Sequence, residues 1–122
     1  MRSRLLAVLF GAALAASADA HEPRKGPNGG ALVDAGKGHV ELIANGSPDV
    51  TVILSDINDK PVPAQGYKAS AILIVEGKTQ RFALTFAEGS KLTGRAPVAI
   101  PAGVKGAIQI IAPEGATSQA KF

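Results

Sequence analysis

The stretch Lys68–Phe86, "KASAILIVEGKTQRFALTF", decides the fold class of this chain. Its two arms, Lys68–Val75 and Thr79–Phe86, are rich in apolar and β-branched residues and flank Glu76-Gly77-Lys78. Glycine supplies the positive φ that a tight reversal between antiparallel strands demands, so the stretch reads as a β-hairpin. In the second arm Phe82, Leu84 and Phe86 share one face, with Arg81, Ala83 and Thr85 opposite. A helix would instead need apolar residues every three to four positions. Beyond residue 20, no window of about a dozen residues keeps that period free of Gly or Pro.

The same texture continues outward in both directions. Ala31-Leu32-Val33, His39–Ala44 ("HVELIA") and Asp49–Ser55 ("DVTVILS") read as strands, separated by Asp34-Ala35-Gly36 and by Asn45–Pro48. Asp56–Gly66 ("DINDKPVPAQG") reads as a loop or edge segment, because Pro61 and Pro63 have no N–H for a central strand. Leu92–Val98, Ala107–Ala112 and Thr117–Phe122 follow, the last two around Pro113-Glu114-Gly115. Seven or eight short strands, with turn signals about every 8–12 residues, predict an all-β sandwich of Ig-like or cupredoxin-like type. A small barrel is the competing architecture. The residues expected in the core are Val40, Leu42, Val52, Leu54, Ile72, Ile74, Phe82, Leu84, Phe86, Ile108 and Ile110.

The first residues have a different character. Arg2 and Arg4 precede an apolar run, Leu5–Ala16, and small residues follow. That is the layout of a secretory signal peptide, and the run is short of the roughly 20 residues that span a bilayer. A cut after Ala18-Asp19-Ala20 releases a chain beginning at His21, with a usual spacing from the apolar run. The alternative, after Ala16-Ser17-Ala18, leaves Asp19-Ala20-His21 at the front. The expected organisation is a leader over 1–20 (alternatively 1–18), an extended Gly/Pro-rich arm over 21–30 and a sandwich over 31–122. No membrane span is expected after processing, and the short alanine-rich leader points to a periplasmic destination.

Composition narrows the function. Removing two cations and one anion with the leader lowers the formal net charge of +3 by one, and Arg24-Lys25 is the only basic pair beyond it. Such interspersed charge, with only Tyr67, Phe82, Phe86 and Phe122 as aromatics beyond the leader, does not describe a nucleic-acid surface. The absence of cysteine excludes disulfides, thiolate metal sites and thiol redox chemistry. The serines lie in ordinary strand or turn contexts with no nucleophile elbow, so an enzyme is not expected. "GGALVDAGKG" has the wrong spacing for a phosphate loop and is followed by a strand rather than a helix. "DINDK" lacks the glycine and terminal glutamate of a calcium loop and reads as an Asx turn.

The two histidines, His21 and His39, carry the remaining chemistry. Imidazole is a common ligand for late first-row metals, and a free terminal amine is a second nitrogen donor. With His21 first, its amine and ring Nδ1 chelate one ion, and His39 completes a T-shaped three-nitrogen set. With Asp19-Ala20-His21 first, the amine, two deprotonated amides and the imidazole form a square-planar set suited to Cu(II) or Ni(II). Both routes point to copper and require His21. Glu22 and Glu41 are candidate additional oxygen donors.

Over Gly26-Pro27-Asn28-Gly29-Gly30, Asp34-Ala35-Gly36 and His39-Val40-Glu41-Leu42, the chain resembles a group of small exported proteins. It is similar there to a segment of periplasmic adaptor proteins of heavy-metal efflux systems. The resemblance continues through "LSDINDKPV", "ILIVEGKTQRFAL" and the final "AKF". It implies periplasmic metal handling, with a divalent metal ion and a metal-efflux or other envelope protein as partners. Members often carry a histidine-rich arm or a histidine directly before Gly-Pro, where this chain has Lys25. A different reading of the same chain is a metal-free interaction module that docks through strand edges or the Gly26–Gly30 loop.

Overall fold

In the computed structural model, which describes residues 22–122, the stretch Lys68–Phe86 forms the expected hairpin. The leader, both cleavage positions and His21 lie outside the described residues. The strands are β1 (Arg24–Lys25), β2 (Ala31–Ala35), β3 (Gly38–Ile43), β4 (Asp49–Asp56), β5 (Lys68–Val75), β6 (Lys78–Glu88), β7 (Lys91–Arg95), β8 (Lys105–Ile111) and β9 (Thr117–Lys121). No helix occurs among the described residues. The strand beyond the seven or eight expected is β1, a two-residue piece that pairs with β2.

All pairings are antiparallel, in the order β1-β2-β3-β4-β7-β6-β5-β8-β9. The β5–β6 turn is Glu76-Gly77, with φ of 51° and 77°, the left-handed pair that matches the twist of the flanking strands. A bulge between Phe86 and Glu88 shifts the β6–β7 register. The sheet curls until β2 lies against β9. Its inward rows then meet face to face, so a single curled sheet makes the sandwich.

One core results. Val33, Val40, Leu42, Val52 and Leu54 from β2–β4 join Ala71, Leu73, Leu84, Ile108 and Ile110 from β5, β6 and β8. At roughly 25 cal/mol per Å² of apolar surface removed from water, this shared interior is the main stabilising contribution in a chain without disulfides.

Four expected core positions need correction. Ile72 is only half-buried, Ile74 is 50% exposed and Phe86 is 42% exposed. Phe82 is partly buried, packed against the core's margin. In "AILIV" both faces of the strand are apolar, so alternation alone does not choose between them. The structure turns Ala69, Ala71 and Leu73 inward, opposite Leu84, Phe82 and Gln80 of β6, and this sends Ile72 and Ile74 out. Phe86 has the inward parity of Leu84 but sits beside the bulge, past the dense interior. The strand expected to reach Val98 stops at Arg95, after which Ala96 N–H bonds to the Pro48 carbonyl at 2.8 Å.

Candidate functional site

His39 sits where three local structures converge. The β2–β3 register pairs it directly with Asp34, across a two-residue turn at Gly36-Lys37. Directly opposed residues of an antiparallel pair project from the same face, so the imidazole and the Asp34 carboxylate are neighbours. The third element is the segment after β4. Asp56 Oδ1 accepts the backbone N–H groups of Asn58 at 2.8 Å and Lys60 at 2.9 Å, the Asx turn read from "DINDK". The turn carries Asp59 in the left-handed region, φ 64°, and presents its Oδ1 2.8 Å from His39 Nδ1. The Lys60 N–H bond holds the Asp56 carboxyl below its ordinary pKa, helped by the Asn58 N–H and by the charges of Lys60 and His39.

The other ring nitrogen faces the arm. His39 Nε2 lies 3.2 Å from Asp34 Oδ1, and the Arg24 guanidinium Nη2 lies 3.4 Å from Nε2 and 3.3 Å from the same Oδ1. The imidazole is 11% exposed while both carboxylates are open to solvent. In the neutral tautomer that carries its proton on Nδ1, the ring donates to Asp59 and its Nε2 lone pair faces the Arg24 cation. Among the described residues no group of three His, Cys, Asp or Glu side chains converges on one point to hold a metal ion. Nε2 and Asp34 Oδ1 therefore offer two donors, not a complete site. His21 lies outside the described residues.

Glu41 does something else. By parity it belongs to the outward face with His39 and Ile43, yet it is only 2% exposed. The Gly26–Gly30 loop covers it. Its Oε2 accepts Asn28 N–H at 2.9 Å and Gly30 N–H at 2.8 Å, and its Oε1 accepts Asn28 Nδ2 at 2.9 Å. The loop closes on itself through Gly26 N–H to the Gly30 carbonyl at 2.8 Å. A Cβ on Gly26 would run into the Glu41 carboxyl group, so glycine is required there for the carboxylate to fit. Three of the roughly four acceptor positions of the Glu41 carboxylate are thus taken by the loop.

Two clefts lie near this cluster, one lined by His39 and one by Arg24 and Asp34. One of about 520 Å³ opens where the β2–β3 and β8–β9 turns meet, lined by Val40, Leu54, Tyr67 and Ile110 with His39 and Asp56 among its polar groups. A smaller one, about 330 Å³, lies between the arm and β9 and is lined by Glu22, Arg24, Asp34 and Lys121 among others. Glu22 thus shares a cleft with Asp34 rather than with Glu41. Sequence reasoning missed Asp34, Asp59 and Arg24. The alternation of β2 and β3 about a short turn would have paired Asp34 with His39, whereas nothing local marks Asp59 or Arg24 as its partners. Among the described residues no helix is long and apolar enough to cross a membrane.

No family model, curated protein or solved structure matches this chain.

Proposed function

We propose that the mature chain is an exported, periplasmic metal-binding protein that takes copper at its N-terminus for storage, delivery or tolerance. His21 is the obligatory ligand and His39 the adjacent one. The observation that carries this reading is the course of the arm. Arg24 pairs with Leu32 at the sheet edge and extends its guanidinium to the His39 ring, 3.4 Å away. His21 is three residues upstream of Arg24, a span of at most about 11 Å of extended chain. A terminal amine and imidazole at that point are within covalent reach of the exposed edge of the His39 cluster. The Asp59 bond to Nδ1 also suits a ligand role, since a metal-binding imidazole normally donates its other N–H to a carboxylate.

The likeness to efflux adaptor segments supports an envelope setting, but its shared glycines and Glu41 account for loop architecture rather than for ligands. A Cu(II) titration of the chain beginning at His21 tests the proposal, with His21→Ala and with one extra N-terminal residue as controls. Tight binding that both changes abolish supports it. The second reading, a metal-free interaction module, is favoured by one observation: Arg24, Asp34, His39 and Asp59 already satisfy one another without a metal. Absence of Cu(II) binding by the processed chain overturns the metal reading and leaves the interaction module in its place.

A further inference from the structure

We infer that the outer face of β6-β5-β8-β9 is a docking surface for an anionic lipid bilayer. It is built from strands β5, β6, β8 and β9 alone and is independent of the N-terminal metal reading. The sequence intersperses its charges, but the fold separates them. Arg81, Ile72, Ala107 and Lys121 form one row across the four strands, each opposite the next. Opposed residues share a face, and Ala71 and Leu73 on either side of Ile72 point inward, so this row points out. Three strand spacings put its two cations about 14 Å apart. In the next row Ile74 lies opposite Lys105, and Lys68 has the same parity further along β5. Ile74 is 50% exposed and Ile72 half-buried, an apolar centre among cations.

Negative charge is kept away from this centre. The one acidic residue within the four strands, Glu88, stands beyond the bulge and opposite Lys91, and Glu76 is in the β5–β6 turn. The ion pairs among the described residues lie elsewhere, at Arg24, Asp34, His39 and Asp59 and between Asp49 and Arg95. The occupant follows from the kind of charge. Protein interfaces concentrate aromatic residues and Arg at their centres and are depleted in Lys. Here three of the four cations are Lys, and Phe82 and Phe86 have inward parity. Lys is a mobile point charge that suits a fluid array of phosphates, whereas fixed carboxylates favour the Arg fork. A second copy of the chain does not fit, since its Asp34, Asp49 and Asp59 are ion-paired and its Glu41 is buried. Each Lys or Arg near an anionic membrane strengthens binding about fivefold. Ile74 adds apolar burial at the headgroup boundary, with no spanning segment required.

The experiment is vesicle flotation of the chain beginning at His21, so that the apolar run Leu5–Ala16 does not itself enter the lipid. Vesicles are phosphatidylcholine alone, or equal parts phosphatidylcholine and phosphatidylglycerol, in metal-free buffer. The chain should bind the anionic vesicles at about 0.15 M salt, bind phosphatidylcholine at least about tenfold more weakly, and be released at about 1 M salt. The Arg81→Gln/Lys105→Gln double variant should weaken binding about 25-fold. Lys37→Gln/Lys60→Gln removes the same charge away from the face and should change binding less than about threefold. The chain contains no tryptophan, so Ile74→Trp is a reporter whose emission should shift to the blue on anionic vesicles. Ile57→Trp, at a 71% exposed position in the turn after β4, should not shift. Urea midpoints near wild type confirm that each variant is folded. No wild-type binding to anionic vesicles, equal weakening by the two double variants, or an unshifted Ile74→Trp overturns the inference. Binding to poly-glutamate but not to vesicles overturns it in favour of an acidic protein.

Discussion

Replacing Glu41 tests how the Gly26–Gly30 loop is held to the sheet. In Glu41→Ala the buried carboxylate vanishes, and the Asn28 and Gly30 backbone N–H groups and Asn28 Nδ2 lose their acceptor. Hydrogen bonds to a charged group contribute about 1.5–3 kcal/mol each, but the Asn28 side chain is exposed and recovers water. Counting the two backbone donors at the low end gives a loss of about 3 kcal/mol. Glu41→Gln should cost only about 1 kcal/mol: its carbonyl replaces Oε2, and the Asn28 amide flips to accept from the new NH₂. Gly26→Ala places a methyl where the Glu41 carboxyl lies and should cost about 2 kcal/mol by expelling it. In the Glu41→Ala background that methyl meets empty space, so the double variant should be no less stable than Glu41→Ala alone. Urea unfolding at neutral pH, with constant m-value, reads all four proteins. Additive losses, or a Glu41→Ala loss below 1 kcal/mol, would refute the reasoning.

The remaining predictions concern the core, the loop and the metal. Leu84→Ala should destabilise by about 3 kcal/mol, and Phe86→Ala, at the bulged margin, by only about 1 kcal/mol in the same assay. Asp56 has a depressed folded pKa, so its turn is stabilised above the ordinary carboxylate value of 3.8 and loses that support as pH falls through the folded pKa. Amide exchange at Asn58 and Lys60 should accelerate below pH 3.8 relative to the rest of the sheet, and Asp56→Asn should remove that acid dependence. Cu(II) binding should weaken as pH falls from neutrality, because protons compete for the amine and imidazole nitrogens.

The strands were legible because turn chemistry and alternation agree over most of the chain. Gly77 and the apolar arms around it specify one hairpin, and Asp56 two residues before Asn58 specifies the Asx turn. The facing of β5 was not legible, since Ile72 and Leu73 are equally apolar and only the pairing with Leu84 decides between them. The hold of Glu41 on the loop was not legible for a different reason. Its partners are mainly backbone N–H groups, which every residue carries, so no side-chain pattern announces them. The one available signal was steric: three glycines at 26, 29 and 30 ahead of a glutamate flanked by Val40 and Leu42. His39 was found by its chemistry, but its partners come from three segments that lie up to 20 residues from it, a convergence only the fold supplies.

The central claim is that the processed N-terminus binds copper, and one measurement addresses it most directly. Calorimetric titration of Cu(II) at neutral pH into the chain beginning at His21, followed by electron paramagnetic resonance of the product, should show one tight site with nitrogen coordination. Adding a single residue ahead of His21 should abolish it. No binding by the processed chain, or equal binding by the extended one, would contradict the account.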